Sequence, residues 1–336
     1  MMNKLKTSVS LFAAWAAVST TASLLAKEED SFRKLVEDAG GKVEFDAAGN
    51  PESLDMYNGN NPMKGRGGKN ILVTDHWLKN LEGRTTIKSL SLSNCAVTDA
   101  GMESVGTLTG LENLNLTLTA VTDAGFEHFE ELTNLRTLGL ASSQCTGSGF
   151  KHLKVKNLES VNFHYTPLND KGLEAICKVG VTGRFWFAHT HFTNVGAAHL
   201  SRLTQLKAMG IGSMDKTSSG QSLVSLIKLP LEDLSILDKQ VDSIGITYTS
   251  QIKTLKKLDI GNGPKLTDAD VAALAAMPAL ETLRIGGANQ ITDAGIANLE
   301  KSKSLKKLTL QRLRKVTPEA VAKLKKANPT LDVVLK

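Results

Sequence analysis

Apolar residues in this chain of 336 residues settle into a spacing that recurs from Ile87 to the C-terminus. Ile87, Leu90 and Leu92 are followed by Cys95 and then by Val97-Thr98-Asp99-Ala100-Gly101. One period later Leu111, Leu114 and Leu116 are followed by Thr119 and Val121-Thr122-Asp123-Ala124-Gly125. Units begin at Ile87, Leu111, Leu135, Leu158, Thr182, Leu206, Leu231, Leu255, Leu280 and Leu305, at intervals of 23 to 25 residues. Self-similarity at such a period marks a solenoid, in which every unit buries its apolar face against its neighbours.

Each unit divides into a strand and a helix. The alternation Leu90-x-Leu92 makes a short strand with Ser89, Ser91 and Ser93 on its other face. Thr98 then caps a helix, and Asp99 sits at the helix's positive end. Met102, Val105 and Leu108 form the inward stripe, which returns as Phe126, Phe129 and Leu132, as Leu173, Ile176 and Val179, and as Val271, Leu274 and Met277. The counterparts of Cys95 are Thr119, Ser143, Thr166 and Thr190, short side chains that can satisfy backbone groups of a buried turn. Cys95 therefore reads as structural rather than nucleophilic.

Ahead of the repeats, Glu28–Ala39 has the apolar spacing of a helix that stops at Gly40-Gly41, and Lys42–Phe45 with Glu52–Met56 reads as a strand pair. Leu54 and Met56 stand where the inward strand residues of a repeat would stand, and Val73-Thr74-Asp75 repeats the Val-Thr-Asp centre. Between them, Asn58–Asn70 is a basic, glycine-rich insertion; its Gly65-Arg-Gly-Gly-Lys69 run lacks the Ser or Thr that a phosphate loop needs after the lysine. The first residues carry Lys4 and Lys6, an apolar run over Val9–Val18, and small residues before a charged cluster at Lys27, the three regions of an export signal. The organisation expected is thus a signal peptide over 1–26, an N-terminal cap with an irregular first repeat over 27–86, and about ten repeats over 87–336 ending in a basic turn.

Composition adds less. Apolar residues make up 41% and charged residues 22%, which is globular, and no later stretch is apolar enough to span a membrane. The three cysteines Cys95, Cys145 and Cys177 do not make a disulfide framework and read as small core residues. The formal charge of +6 is uneven, because Lys301–Lys336 holds eleven Lys or Arg against Glu319 and Asp332. Such an end either keeps the last repeat soluble or touches an anionic polymer.

The pattern Leu-x-x-Leu-x-Leu-x-x-Cys/Thr/Ser-x-Val-Thr-Asp-x-Gly resembles the leucine-rich repeat family, and within it the cysteine-containing and ribonuclease-inhibitor-like classes. The resemblance runs from Ile87 to about Leu335 and is weakest over Thr182–Pro230. It implies an α/β fold, a right-handed horseshoe solenoid with parallel strands on the concave face and helices on the convex face. It also implies recognition of proteins or other macromolecules. The substrate-adaptor role of ubiquitin-ligase relatives fits less well, because the chain opens on an export signal and leaves no room for an F-box.

Catalysis would need convergent groups that break the repeat rule, and none can be assembled; Asp99, Asp123, Asp268 and Asp293 recur once per unit and belong to helix starts. Most outward strand positions are small or neutral, such as Asn113, Asn115, Thr137, Gly139, Ala208 and Gly210. The departure is a patch of Asn162, His164, Arg184 and Trp186, with His189 and His191 at the end of the fifth strand. Trp and Arg are enriched in binding hot spots, and an outward Trp on a polar sheet calls for a partner. The histidines lack carboxylate or thiol companions at ligand spacing, so neither a metal nor any other cofactor is expected. A second, basic stripe comprises Lys257, Arg284 and Lys307 with Arg312 nearby. The expectation is an exported bacterial, monomeric scaffold without enzymatic activity. Its ligand would be a protein, or alternatively a polysaccharide or anionic envelope polymer, and not nucleic acid. The rival reading is a structural envelope protein held through its basic end.

Overall fold

The computed structural model describes residues 26–57, 70–212, 219–237, 239 and 241–336. All of the expected signal segment except Ala26, and most of the glycine-rich insertion, lie outside the described residues. Among the described residues, thirteen strands form one sheet in chain order. It opens with the antiparallel pair Lys42–Phe45 and Pro51–Asp55, whose turn is closed by the Asp46 carboxylate accepting the N–H groups of Ala48 and Asn50 at 2.8 and 2.9 Å. A helix over 26–38 precedes that pair.

From Pro51–Asp55 onward the pairing is parallel. One line of inward residues runs through it, from Leu54 to Leu90, Leu114, Leu138, Val161, Phe185 and Met209, and on to Val333. Each of these is at most 4% exposed. Full burial of such a side chain contributes about 1.5–3 kcal/mol, so each level is held by its neighbours rather than by itself. Beneath the middle levels the core becomes aromatic, with Phe126 against Phe150 and Phe150 against Phe163 at centroid distances of 5.5 Å.

The fifth level departs from the repeat spacing. Leu158 faces Val181 but Ser160 faces Arg184, so one extra residue is accommodated around Thr182 and Gly183. Val181, not Thr182, fills the first inward position there and is 1% exposed. A Cβ on Gly183 would stand 2.5 Å from the Glu159 carbonyl oxygen, which is why glycine sits in the bulge. Beyond it Phe185 and Phe187 face the core, leaving Arg184 and Trp186 outward.

The convex side mixes short α-helices, such as Met102–Gly106 and Asp170–Val179, with 3₁₀ segments, such as Asp123–Phe129 and Ser148–His152. Threonines cap their own helices as expected; the Thr98 hydroxyl accepts from the Ala100 N–H. The aspartates do more than favour a helix end. Asp99 accepts from the Thr122 N–H and hydroxyl of the next unit, both at 2.7 Å, and from the Gly125 N–H at 3.1 Å. Asp75, Asp123, Asp170, Asp268 and Asp293 clamp Thr98, Thr146, Thr193, Thr292 and Thr317 in the same way. The carboxylates are therefore staples between consecutive units. The small-residue ladder is in place at Thr119, whose hydroxyl donates to the Leu116 carbonyl at 2.6 Å, and at Thr166, which donates to Phe163 at 2.9 Å. The buried Thr190 hydroxyl has no hydrogen-bond partner, contrary to the expectation for that rung. Cys95, Cys145 and Cys177 are buried. Among the described residues no helix is long and apolar enough to cross a membrane.

Candidate functional site

Parallel pairing in register stacks the outward residues into two rows. One holds Ser89, Asn113, Thr137, Ser160 and Arg184; the other holds Ser91, Asn115, Gly139, Asn162 and Trp186. Together the first four levels floor an open groove of about 410 Å³. Its outward side chains are hydroxyls and amides, while Leu90, Leu114 and Leu138 lie beneath with at most 2% exposure.

The floor is organised by its own hydrogen bonds. Thr137 donates to the Asn113 amide oxygen at 2.6 Å. The Asn115 oxygen accepts the Thr117 N–H at 3.1 Å, and the Asn162 oxygen accepts the His164 N–H at 3.0 Å. These bonds fix both amide orientations, leaving the two NH₂ groups as donors for the groove.

Trp186 ends the floor, half-buried and turned outward. Its six-membered ring lies over Gly210 on the next strand, where a Cβ would come within 1.8 Å of Cε3. Ala208 and Gly210, expected to face outward in the open, are in fact buried. For Gly210 the indole is the cover.

A rim borders the groove where the strands end. Asn94, Leu118, Ser142, Tyr165 and His189 all adopt φ between 56° and 59°. The ladder imposes this conformation: each N–H donates to a carbonyl one unit on, Leu118 to Ala141 at 2.8 Å and Tyr165 to Ala188 at 2.7 Å. Left-handed backbone is unfavourable for a branched or bulky side chain. Even so, Leu118 and Tyr165 occupy it with 50% and 63% of their surface exposed. The Tyr165 and His189 rings stack at 4.2 Å with planes 11° apart. His164 lies close by, and burial, followed by the neighbouring His189, pushes its pKa below the ordinary value of 6.5.

The proposed patch is thus partly assembled. Asn162 and Trp186 are direct neighbours across the strand pair, and His164 and His189 are near enough to interact. Arg184 shares the outward face of the Trp186 strand and is exposed. His191 is separated from His189 by the buried Thr190; its N–H donates to Leu168, and it is exposed outside the patch. Among the described residues no three His, Cys, Asp or Glu side chains gather as metal ligands.

The basic stripe is not a row of free cations. Lys257 pairs with Asp233 at 2.8 Å, and Arg284 pairs with Asp259 at 2.6 Å while also donating to Gln311. Lys307 and Arg312 are exposed, and Arg312 borders a recess of about 260 Å³ shared with Arg284 and Gln311. Much of that stripe stitches adjacent units together. Sequence reasoning passed over the amide and hydroxyl floor, and over Leu118 and Tyr165. The signal for the last two was a bulky residue at the place that Asn94 and Ser142 fill in sister repeats.

A solenoid of parallel strands, stapled by aspartates at six of its unit junctions and faced with a polar floor, is the class of protein that these features define. A family model described as Leucine Rich repeat matches residues 84–106 and 156–177. No curated protein matches the chain. Among solved structures, the chain is similar to an internalin (inlF) of Listeria monocytogenes at 17% identity, with a TM-score of 0.53 and coverage of 76% of each chain. An internalin C2 (inlC2) of the same organism gives 22% identity, a TM-score of 0.45, and coverage of 70% of this chain and 91% of that one. The chain carries leucine-rich repeats at residues 84–106 and 156–177 and has the leucine-rich-repeat solenoid fold.

Proposed function

We propose that the protein is an exported, non-enzymatic recognition scaffold that holds a macromolecular ligand across its strand face. The observation that carries this reading is Trp186, a half-exposed indole on a polar sheet, with a glycine on the next strand where any larger residue would displace it. A large aromatic group held rigidly at the end of a groove loses little conformational entropy on binding, which is the property of a hot-spot residue. The export reading rests on the segment over 1–26, and a bacterial source is consistent with it. Affinity capture from the native envelope, with wild type beside Trp186→Ala, tests the assignment. The variant should lose its partner by about 2 kcal/mol or more; equal capture by a correctly folded variant would remove Trp186 from the site.

A second reading is favoured by the last helix, Pro318–Ala327, which exposes Lys323, Lys325 and Lys326. A structural envelope protein held by these lysines would lose retention on their charge reversal. A concave-face scaffold would keep its ligand.

A further inference from the structure

We propose that the ligand is an uncharged polysaccharide, laid across the strands from the level of Ser91 to the plate of Trp186. This rests on the scaffold reading above and names its ligand class. The groove floor presents hydroxyl and amide groups and no ionisable side chain, and the oxygens of Asn115 and Asn162 are held by backbone N–H groups, which leaves their NH₂ groups as donors. Every sugar hydroxyl both donates and accepts, so it can meet such a floor at each step without bringing a charge into it. A protein partner would ask for an apolar, desolvated centre, and the outward strand positions of these four levels carry no aliphatic side chain, the exposed Leu118 standing at the rim. An anionic polymer would ask for a row of lysines or arginines; the first four levels have none, and Arg184 stands alone beside Trp186 at the end of the path.

The spacing of the strands points the same way. The floor repeats once per strand, at about 4.8 Å, and a linked pyranose ring advances by roughly one such spacing. An extended polypeptide presents same-side residues about 6.7 Å apart, so it falls out of step within two strands. Four spacings separate Ser91 from Trp186 in the row of paired residues, roughly 19 Å, or room for about four or five sugar units. At the end of that path stands Trp186, where the apolar C–H face of a sugar can stack on the indole. Tyr165, stacked on His189 at the rim, offers a side wall.

The test is calorimetric titration of the full mature chain with neutral cello-, chito- and malto-oligosaccharides of increasing length, beside dextran sulfate. One neutral series should bind, tightening with each unit up to about four or five and then levelling, with little dependence on salt. Trp186→Ala and Asn115→Ala should each weaken it at least about tenfold, with the unfolding midpoint of Asn115→Ala close to wild type. Failure of every neutral series overturns the inference, as does dextran sulfate binding best with a steep salt dependence, or neutral binding that both variants retain. If envelope capture still depends on Trp186 while all neutral sugars fail, the scaffold reading stands and the polysaccharide does not. If neither depends on Trp186, both fall.

Discussion

Replacing Asp123 with alanine should loosen the stack between two particular units. Its carboxylate accepts the Thr146 N–H at 2.8 Å, the Thr146 hydroxyl at 2.7 Å and the Gly149 N–H at 2.8 Å. Two of these donors are backbone groups at a helix start, where no intrahelical acceptor is available. Net contributions of bonds to a charged acceptor are about 1.5 kcal/mol or more each, reduced here because water can reach the part-buried site. The expected loss is about 3 kcal/mol. Asp123→Asn keeps one acceptor oxygen and should lose about half as much. The reverse change is available at Asn194, whose oxygen receives the Ser219 N–H at 3.3 Å in place of the aspartate clamp. Asn194→Asp should gain about 0.5–1 kcal/mol. Urea unfolding gives the three free energies, and native-state hydrogen exchange at the Thr146 and Gly149 amides shows whether the loss is local. A change below about 1 kcal/mol for Asp123→Ala, with those amides still protected, would refute the staple account.

Three further outcomes follow from the geometry. Gly210→Ala should lift the Trp186 ring off its seat, because the added Cβ would lie 1.8 Å from Cε3; red-shifted Trp emission with weakened ligand capture is expected, and an unmoved spectrum would contradict it. His164 titrates below 6.5, first through burial and then through His189. The unfolded chain therefore binds more protons between that lowered value and 6.5, so stability is full above 6.5 and falls as pH drops through the window. Urea midpoints measured across that range should slope this way in wild type and flatten in His164→Asn; an identical slope in both would remove His164 as the cause. Burial pushes the Cys145 and Cys177 thiols up to about 12. A thiol reagent at neutral pH should then modify neither in the native protein and both after unfolding, and labelling of either in the folded state would count against their burial.

The apolar skeleton was legible because each level repeats one inward residue, and Leu90, Leu114 and Leu138 do face one another. The shift at the fifth level was not, since Val181 and Thr182 are adjacent and both β-branched, and either can serve a strand. Spacing placed Asp99 at a helix start correctly but could not show its grip on Thr122, which depends on how units stack. The same holds for the basic stripe: Lys257 and Arg284 look unpaired along the chain until stacking sets Asp233 and Asp259 beside them. Trp186 stood out by its chemistry, whereas its seat on Gly210 was hidden 24 residues later. The floor of Ser, Asn and Thr was visible residue by residue, yet small neutral side chains acquire meaning only as rows.

The most direct measurement is a hydroxyl-radical footprint of the protein with and without the ligand captured from its native envelope. Protection of Trp186, Tyr165 and His189, with the convex helices and Lys323–Lys326 unchanged, is the predicted result. Protection confined to the convex side or to the lysine-rich last helix, with Trp186 as reactive as in the free protein, would contradict recognition on the strand face.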